Sequence, residues 1–116
     1  MLLLETAKYL GTSHSCVNAG GVYISLTHYE EEEAPGFPMH AHVNPHLTLL
    51  LQGGTEEKWS NGVYHRLAGN IVYYPANEPH HNLKTLAGSK NINFEYLLGT
   101  FIFEMLTTGF WISRLK

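Results

Sequence analysis

Residues 40–54 have the sequence HAHVNPHLTLLLQGG, in which closely spaced histidines precede a short apolar run and a pair of glycines. On a β-strand, residues two apart project to the same face, so the imidazoles of His40 and His42 can reach one point. His46 has the same parity, although the Asn-Pro pair before it can bend the chain. An HxH pair alone is weak evidence, because surface strands carry such pairs by chance. Its meaning depends on what the rest of the chain supplies.

A second stretch, GNIVYYPANEPHHN at residues 69–82, supplies a further histidine, His80. It follows His46 by about thirty-four positions and belongs to a different strand, so only a closed fold can bring the two together. Imidazole is a borderline ligand that suits zinc, nickel, iron or copper, whereas calcium and magnesium prefer oxygen ligands. Neutral imidazole is the ligand form, so metal occupancy is expected to fall below the ordinary histidine pKa of ~6.5. On the HxH pair alone, the favoured interpretation is two solvated or hydrogen-bonded histidines.

Turn and strand patterns elsewhere indicate an all-β protein. The strongest signal is Asn61-Gly62 between two short strands, because a type I′ hairpin turn needs positive φ at both central residues. Strands of this length, separated by turn signals at short intervals, are typical of an antiparallel sandwich or barrel. The predicted strands are Val22 to Tyr29, Leu47 to Leu51, Glu56 to Ser60, Val63 to Leu67, Ile71 to Tyr74 and Ile92 to Tyr96.

Length and composition narrow the class of protein. A chain of 116 residues, 44% hydrophobic and 15% charged, is enough for one folded domain with one core. Its formal net charge of −3 provides no basic patch, so direct nucleic-acid binding is not expected. Cys16 is the only cysteine, which excludes an intrachain disulfide and suits a cytoplasmic protein. The stretch Met1 to Leu4 lacks a basic n-region, so a secretory signal peptide is not expected there.

The C-terminal segment Leu97 to Ile112 is strongly apolar. It contains Glu104 and is shorter than the ~20 residues that a membrane span needs. We interpret residues 97–116 as buried surface or as an interface, with membrane insertion as the minor alternative. Because symmetric pairing about a two-fold axis is the commonest way to hide such a surface, we expect a homodimer.

The spacing of the histidines, glycines and prolines resembles the two sequence motifs of the cupin superfamily. The first motif, an HxH pair followed by a Glu and then a Gly, corresponds to residues about 36–54. The second motif, a Gly-Pro-Gly-His string, corresponds to residues about 69–82. The resemblance implies a single cupin domain over residues 1–116, with the double-stranded β-helix, or jelly-roll, barrel of that family. The resemblance implies one divalent transition-metal site formed by His40, His42, His46 and His80. In such a barrel the HxH pair lies on one strand, His46 on its continuation and His80 on the facing sheet.

The chain departs from the cupin motifs at several positions. His46 stands where the family usually has Glu, which keeps a ligand but removes its negative charge. Asn77 stands where the family usually has Gly, and Asn is the next most tolerant residue for positive φ. Lys84 replaces the Asn that often ends the second motif, and Gly36 lies closer to the HxH pair than the motif prescribes.

A narrower resemblance, to the effector-sensing half of AraC-type transcription regulators, rests on residues 40–54 and on Asn77-Glu78-Pro79-His80. In that family the barrel binds a small ligand and often dimerises, while a separate helix-turn-helix region binds DNA. Thirty-four residues follow Asn82, and few of them are basic. The resemblance therefore implies a sensing domain without its DNA-binding helix-turn-helix region, or a truncated relative of such a regulator.

Two functions from different classes follow from these resemblances. The favoured one is a small-molecule- or metal-sensing module, implied by the AraC-type resemblance. The alternative is a metal-dependent enzyme, such as an oxygenase acting on a small organic substrate, implied by cupins at large. The all-histidine set lacks the carboxylate of the usual cupin enzyme site, and no nearby acid or base stands out in the sequence. A barrel that has lost its metal and survives as a plain binding domain is the third possibility.

Other candidate side chains are predicted to lie outside the metal site. His81 follows His80 on a strand and should point to the opposite face, and His65 should lie on the surface or on a pocket wall. Cys16 is predicted to be inert, with a fifth-ligand or reactive-thiol role as the alternative. Glu78 is predicted to lie on a hydrated rim, with an acid or base role as the alternative.

Overall fold

The computed structural model of the protein describes residues 1–30 and 38–97, apart from the side chains of residues 13 and 14. This part of the chain forms ten strands and no helix, so it contains no helix that could cross a membrane. The strands are β1 (Leu2–Leu4), β2 (Thr12–Ala19), β3 (Val22–Tyr29), β4 (His40–His42), β5 (His46–Gln52), β6 (Gly54–Trp59), β7 (Gly62–Leu67), β8 (Ile71–Tyr74), β9 (His81–Thr85) and β10 (Ser89–Tyr96). Gly36 and the apolar C-terminal segment from Leu98 onward lie outside the described residues.

The strands form two antiparallel sheets and one short parallel pair. The five-stranded sheet has the order β2-β3-β10-β5-β8, the three-stranded sheet has the order β7-β6-β9, and β1 pairs with β4. The last described strand, β10, lies in the middle of the larger sheet between β3 and β5. Because these neighbours are far apart in the sequence, the larger sheet is complete only when β10 is in place. The predicted all-β class is confirmed.

Most of the predicted strands coincide with observed ones. β3 and β8 have the predicted bounds, and β5 contains the predicted run Leu47 to Leu51. The predicted strand Ile92 to Tyr96 is the second part of β10. β2 was not predicted, because its sequence TSHSCVNA is mostly small and polar. Pairing with β3, rather than local propensity, decides its structure.

The β6–β7 hairpin forms as predicted, but its turn differs from the prediction. Trp59 pairs with Gly62, so the two central residues are Ser60 and Asn61. Of these residues Gly62 alone has a positive φ, of 149°. A type I′ turn needs positive φ at both central residues, so the prediction of such a turn centred on Asn61-Gly62 is wrong. The glycine instead takes its positive φ at the first position of β7, directly after the turn.

Other residues predicted to turn the chain have the expected backbone. Gly53 and Gly69 have φ of 86° and 93°, and Asn77, which replaces a glycine of the second motif, has a φ of 61°. Gly53 is also constrained by space, because an added Cβ would lie 2.7 Å from the Cα of Ser89. These positions confirm that the motif residues serve turns at strand ends.

The five-stranded sheet directs polar side chains into the barrel. Thr27, Thr48 and Asn93 are buried and lie on three neighbouring strands. The Asn93 amide donates to Thr27 Oγ1 over 2.8 Å, and the Thr48 hydroxyl donates to Asn93 Oδ1 over 2.8 Å. Because strand residues alternate between faces, the apolar residues between these positions lie on the outer side. The buried aliphatic and aromatic residues of the described chain are few: Ala41, Leu50, Val72 and Tyr74.

Candidate metal centre

Three histidines meet in the barrel interior. His40, His42 and His80 each offer one ring nitrogen, and these three atoms lie within 4.8 Å of one another. The residues are buried, with exposed fractions of 4%, 5% and 3%. The ring centroids of His40 and His80 are 4.3 Å apart, and those of His40 and His42 are 5.4 Å apart. The two predicted motifs therefore converge on a cluster that can hold one metal ion.

Backbone pairing brings the two motifs together. His40 and His80 form an isolated antiparallel bridge in which each N–H donates to the other carbonyl over 2.9 Å. The Asn77 N–H donates to the His42 carbonyl over 2.8 Å, and its positive φ turns the chain toward β4. The prediction that His80 lies on the facing sheet is therefore wrong. His80 is a direct backbone neighbour of β4, which fixes the separation of the imidazoles.

His46 lies beside this cluster at the start of β5. Its ring centroid is 4.5 Å from that of His42, and its ring stacks on Tyr74 at 4.5 Å with an interplanar angle of 9°. The residue is 3% exposed. It is not one of the three histidines whose ligand atoms meet within 4.8 Å. Its role as a fourth ligand stays a prediction.

Hydrogen bonds orient two of the imidazoles. Nδ1 of His40 lies 2.8 Å from the Pro38 carbonyl oxygen, and Nδ1 of His80 lies 3.1 Å from the Glu78 carbonyl oxygen. A carbonyl oxygen can only accept, so in each neutral ring Nδ1 carries the proton and Nε2 is the free ligand atom. Such outer hydrogen bonds are the usual means of fixing the tautomer and the orientation of metal-binding histidines.

The other two imidazoles have unsatisfied nitrogens. Nδ1 of His42 and Nδ1 of His46 are buried and lack a partner with hydrogen-bond geometry among the described residues, although backbone of Lys8 and Asn44 lies near them. An unsatisfied buried polar group costs about 1–3 kcal/mol. A metal ion bound through Nε2 would leave these Nδ1 atoms as they are, so they are not evidence for it. What fits a transition metal is the donor set itself, three buried imidazoles that meet at one point.

Burial lowers the pKa of each of these histidines. The pKa of His40 falls from 6.5 to about 4 and that of His42 to about 3, and neighbouring imidazoles contribute in the same direction. Burial also lowers the pKa of His46 and of His80. The rings are neutral at pH 7 and ready to bind a metal. Because burial lowers these pKa values, protonation of His40 competes with a metal only near pH 4, below the ordinary histidine value on which the expectation of ~6.5 was based.

Aromatic rings surround the cluster. Trp59 stacks on His80 with centroids 5.0 Å apart and an interplanar angle of 16°. Tyr74 contacts both Trp59 and His80, at 5.3 Å and 5.0 Å. On the other side, the Tyr9 ring lies 5.1 Å from His42. These rings restrict water around the histidines, and none of them was individually predicted to belong to the site.

A buried carboxylate, Glu57 of β6, lies in the same interior. It is 2% exposed and accepts hydrogen bonds from the Tyr74 hydroxyl at 2.8 Å and from Arg66 Nε at 3.0 Å. Its charge also acts to raise the pKa of His40, against the larger effect of burial. Glu57 was not predicted as a site residue, because it stands next to Glu56 and the sequence pattern of both is that of solvated strand residues. Its parity with Trp59, two residues later, was the available signal.

A second buried carboxylate, Glu95 of β10, ties down the N-terminal segment. It is 1% exposed and accepts hydrogen bonds from the Tyr9 hydroxyl at 2.8 Å and from the Asn44 amide at 2.8 Å. The Ala7 N–H lies 3.1 Å and 3.2 Å from its two oxygens. Burial, with the Glu95 charge as the second cause, raises the pKa of Tyr9. These bonds hold Tyr9 against His42.

The histidines open onto a polar cavity lined by both large sheets. The cavity is small, with a volume of about 40 Å³. Beside the histidines and tyrosines, its wall carries Thr48, Thr55, Glu57, Asn82, Asn91 and Asn93. The Asn91 side-chain oxygen is buried without a hydrogen-bond partner in the described chain. No described lysine or arginine lines the cavity, so a metal ion would supply its positive charge.

The remaining candidates lie away from the cluster. His65 is on the surface, as predicted, with a side chain 72% exposed and 3.5 Å from Glu56. His81 pairs with Lys58 across β9 and β6. The adjacent pair, Glu57 and Asn82, faces the cavity, so His81 lies on the outer face, as predicted. Cys16 is exposed on β2.

Comparisons with known proteins identify the fold. No protein-family model matches the chain, and no curated protein matches it. A cupin superfamily protein from Desulfitobacterium hafniense DCB-2 is 18% identical with a TM-score of 0.60, over 74% of this chain and 76% of that one. A cupin-2 domain containing protein from Shewanella frigidimarina NCIMB 400 is 17% identical with a TM-score of 0.54, over 76% and 85%.

A third solved structure is HppE with Fe(II) and its substrate. It is 18% identical with a TM-score of 0.57, over 71% of this chain and 52% of that one, so the chain spans about half the length of HppE. At these identities the likeness concerns the fold. The protein therefore has the jelly-roll barrel of the cupins, as the sequence motifs predicted.

Proposed function

We propose that the protein is a metal-binding cupin domain that works as a small-molecule-binding, sensing module related to the sensing domains of AraC-type regulators. The observation that carries the proposal is the buried histidine cluster, which opens onto a polar cavity instead of a packed apolar core. The AraC-type relation rests on the sequence resemblance over residues 40–54 and around His80. His46 is the proposed fourth ligand.

The chemistry of the cavity favours one class of ligand. A divalent ion held by the histidines would supply a Lewis-acidic position for a carboxylate or carbonyl oxygen. Neutral imidazoles do not compensate its charge, and no described lysine or arginine lines the cavity. The anionic end of a ligand therefore belongs at the ion, and its hydroxyl or amide groups belong at the wall formed by Thr48, Asn91 and Asn93. Small hydroxylated carboxylates have this combination of groups.

Binding without turnover is favoured because the nearby carboxylates already have partners. Glu57 is held by Tyr74 and Arg66. Glu95 is held by Tyr9, Asn44 and backbone. A general base must reach the proton that it removes, and these groups would first have to break charge-assisted hydrogen bonds.

A metal-dependent enzyme is the second candidate. The observation in its favour is that the Glu57 carboxylate lines the same cavity as the histidines. HppE, which has this fold, is described with Fe(II) and a substrate. In this case Glu57 would exchange its bond to Tyr74 for one to the substrate.

Thermal stabilisation by a panel of small hydroxylated carboxylates tests the proposal. A ligand selective for the folded protein at a hundred times its Kd adds about 2.7 kcal/mol. We expect stabilisation that requires metal, is lost in the double variant His40→Ala with His42→Ala, and persists in the surface control His65→Ala. The same compounds, incubated with metal-loaded protein and oxygen, should be recovered unchanged. Metal-dependent product that disappears in Glu57→Gln would make the enzyme the correct function.

A further inference from the structure

The outer side of the five-stranded sheet carries a continuous apolar surface. Cross-strand pairing aligns its side chains in two rows that cross the sheet. The first row is Val17, Ile24, Phe94, Leu47 and Tyr73, and the second is Leu26, Ile92, Leu49 and Ile71. We call these residues the outer apolar face.

This face does not serve the barrel interior. The inward positions on the same strands are polar and hydrogen-bonded to one another, as Thr27, Thr48 and Asn93 show. At the two edges of the face, Val17 is 60% exposed and Ile71 is 70% exposed. A sheet that is apolar on one side needs a second layer over that side, and soluble proteins rarely leave such a patch uncovered.

The chain leaves the described structure at the end of this sheet. Residues after β10 follow the central strand, and the Leu97 N–H donates to the Gly21 carbonyl over 3.4 Å beside the β2–β3 turn. Nineteen residues, 98–116, then follow. Extended chain spans at most ~3.3–3.6 Å per residue, so this segment can reach back along the eight residues of β10.

The composition of this segment matches the face. Its charged residues are Glu104, Arg114 and Lys116. Its apolar residues are Leu98, Phe101, Ile102, Phe103, Met105, Leu106, Phe110, Trp111, Ile112 and Leu115. The segment directly follows the sheet in the same chain, so bringing its apolar residues onto the face closes only a short loop and has a small entropic cost.

We propose that residues 98–116 of the same chain cover the outer apolar face and complete the fold as its outer layer. A second copy of the chain bound to the face would bury it, but the apolar residues of the segment would then remain exposed. Association within one chain removes both surfaces from water in one contact, at any protein concentration.

Trp111 reports directly on this contact in the full chain. In a Trp59→Phe background Trp111 is the only tryptophan, and acrylamide quenching measures its exposure. We expect protection from quenching that does not change on dilution. Phe94→Glu, at the centre of the face, should abolish the protection, whereas Phe94→Leu should keep it. Leu67→Glu is the matched control, because Leu67 is 61% exposed on β7 of the other sheet.

A second substitution guards against loss of folding. Ile71→Glu replaces a residue that is 70% exposed at the edge of the face, so the barrel should tolerate it, and it should raise quenching in part. Far-UV circular dichroism checks the fold of each variant. The proposal is overturned if Trp111 in the parent is quenched as readily as in urea. It is also overturned if protection disappears on dilution together with a dimer, which would identify a second copy as the cover.

Discussion

The buried histidines make the stability of the metal-free protein depend on pH, and His40→Gln isolates one of them. Burial lowers the pKa of His40 to about 4 in the folded protein, whereas the unfolded chain keeps the ordinary 6.5. Between these values the unfolded chain binds a proton that the folded protein does not. The contribution of His40 is therefore fully present above pH 6.5 and is lost as the pH falls toward 4. Glutamine stays neutral over this range and can still donate to the Pro38 carbonyl.

The magnitude follows from proton linkage. One proton taken up on unfolding changes the free energy of unfolding by about 1.4 kcal/mol per pH unit. As the pH falls from 6.5 to about 4, protonation linked to His40 alone therefore lowers the free energy of unfolding by roughly 3 kcal/mol. Small domains have a total stability of only ~5–15 kcal/mol, so the effect is measurable. His42 has a pKa of about 3 and steepens the parent's dependence further.

Urea unfolding in chelator, from neutral pH to about pH 4.5, measures this dependence. We expect the slope for His40→Gln to be smaller than the parent's by about 1.4 kcal/mol per pH unit. His65→Gln, at a side chain 72% exposed, should run parallel to the parent. Most other titrating groups are common to the three proteins. Loss of His40 also removes its lowering effect on the pKa of His42, which reduces the slope in the same direction. Parallel lines for His40→Gln and the parent would refute the burial of a neutral His40.

Three further predictions concern the surroundings of the site. Glu57→Gln should weaken metal binding by about tenfold in chelator competition, because a buried anion near the ion is lost. The neighbouring substitution Glu56→Gln should leave the metal affinity unchanged, and equal affinities for the two variants would contradict the prediction. Gly53→Ala should lower the free energy of unfolding by about 2–4 kcal/mol, and Gly62→Ala by less, because only at Gly53 does the added Cβ meet backbone. Tyr9→Phe should lower the free energy of unfolding by about 1.5–3 kcal/mol, because it removes a hydrogen bond to the buried Glu95 carboxylate. A smaller loss in urea unfolding would mean that water replaces the tyrosine hydroxyl.

The sequence predicted several strands and the HxH pair because both depend on local spacing. β3 and β8 were delimited by their β-branched and aromatic content and by the turns that end them. The HxH pair predicted two convergent imidazoles, since parity alone decides that outcome. The cupin resemblance added His80, which spacing alone could not place.

The features that the sequence did not reveal depend on contacts between distant segments. The bridge between His40 and His80 is set by backbone hydrogen bonds between the two motifs. Glu57 could not be told from Glu56, because β6 is polar at successive positions and its inward face is fixed by pairing with β7 and β9. The role of Glu95 depends on the N-terminal segment, which lies eighty-eight positions away at Ala7.

Metal titration of chelator-treated protein tests the central claim most directly. Calorimetry with zinc, followed by cobalt for its absorption spectrum, should give one ion per chain, bound by nitrogen ligands. The double variant His40→Ala with His42→Ala should bind none, and His65→Ala should bind as the parent does. The His46→Ala variant then decides whether the fourth histidine is a ligand. If the double variant binds zinc with the stoichiometry and affinity of the parent, the cluster of His40, His42 and His80 is not a metal site.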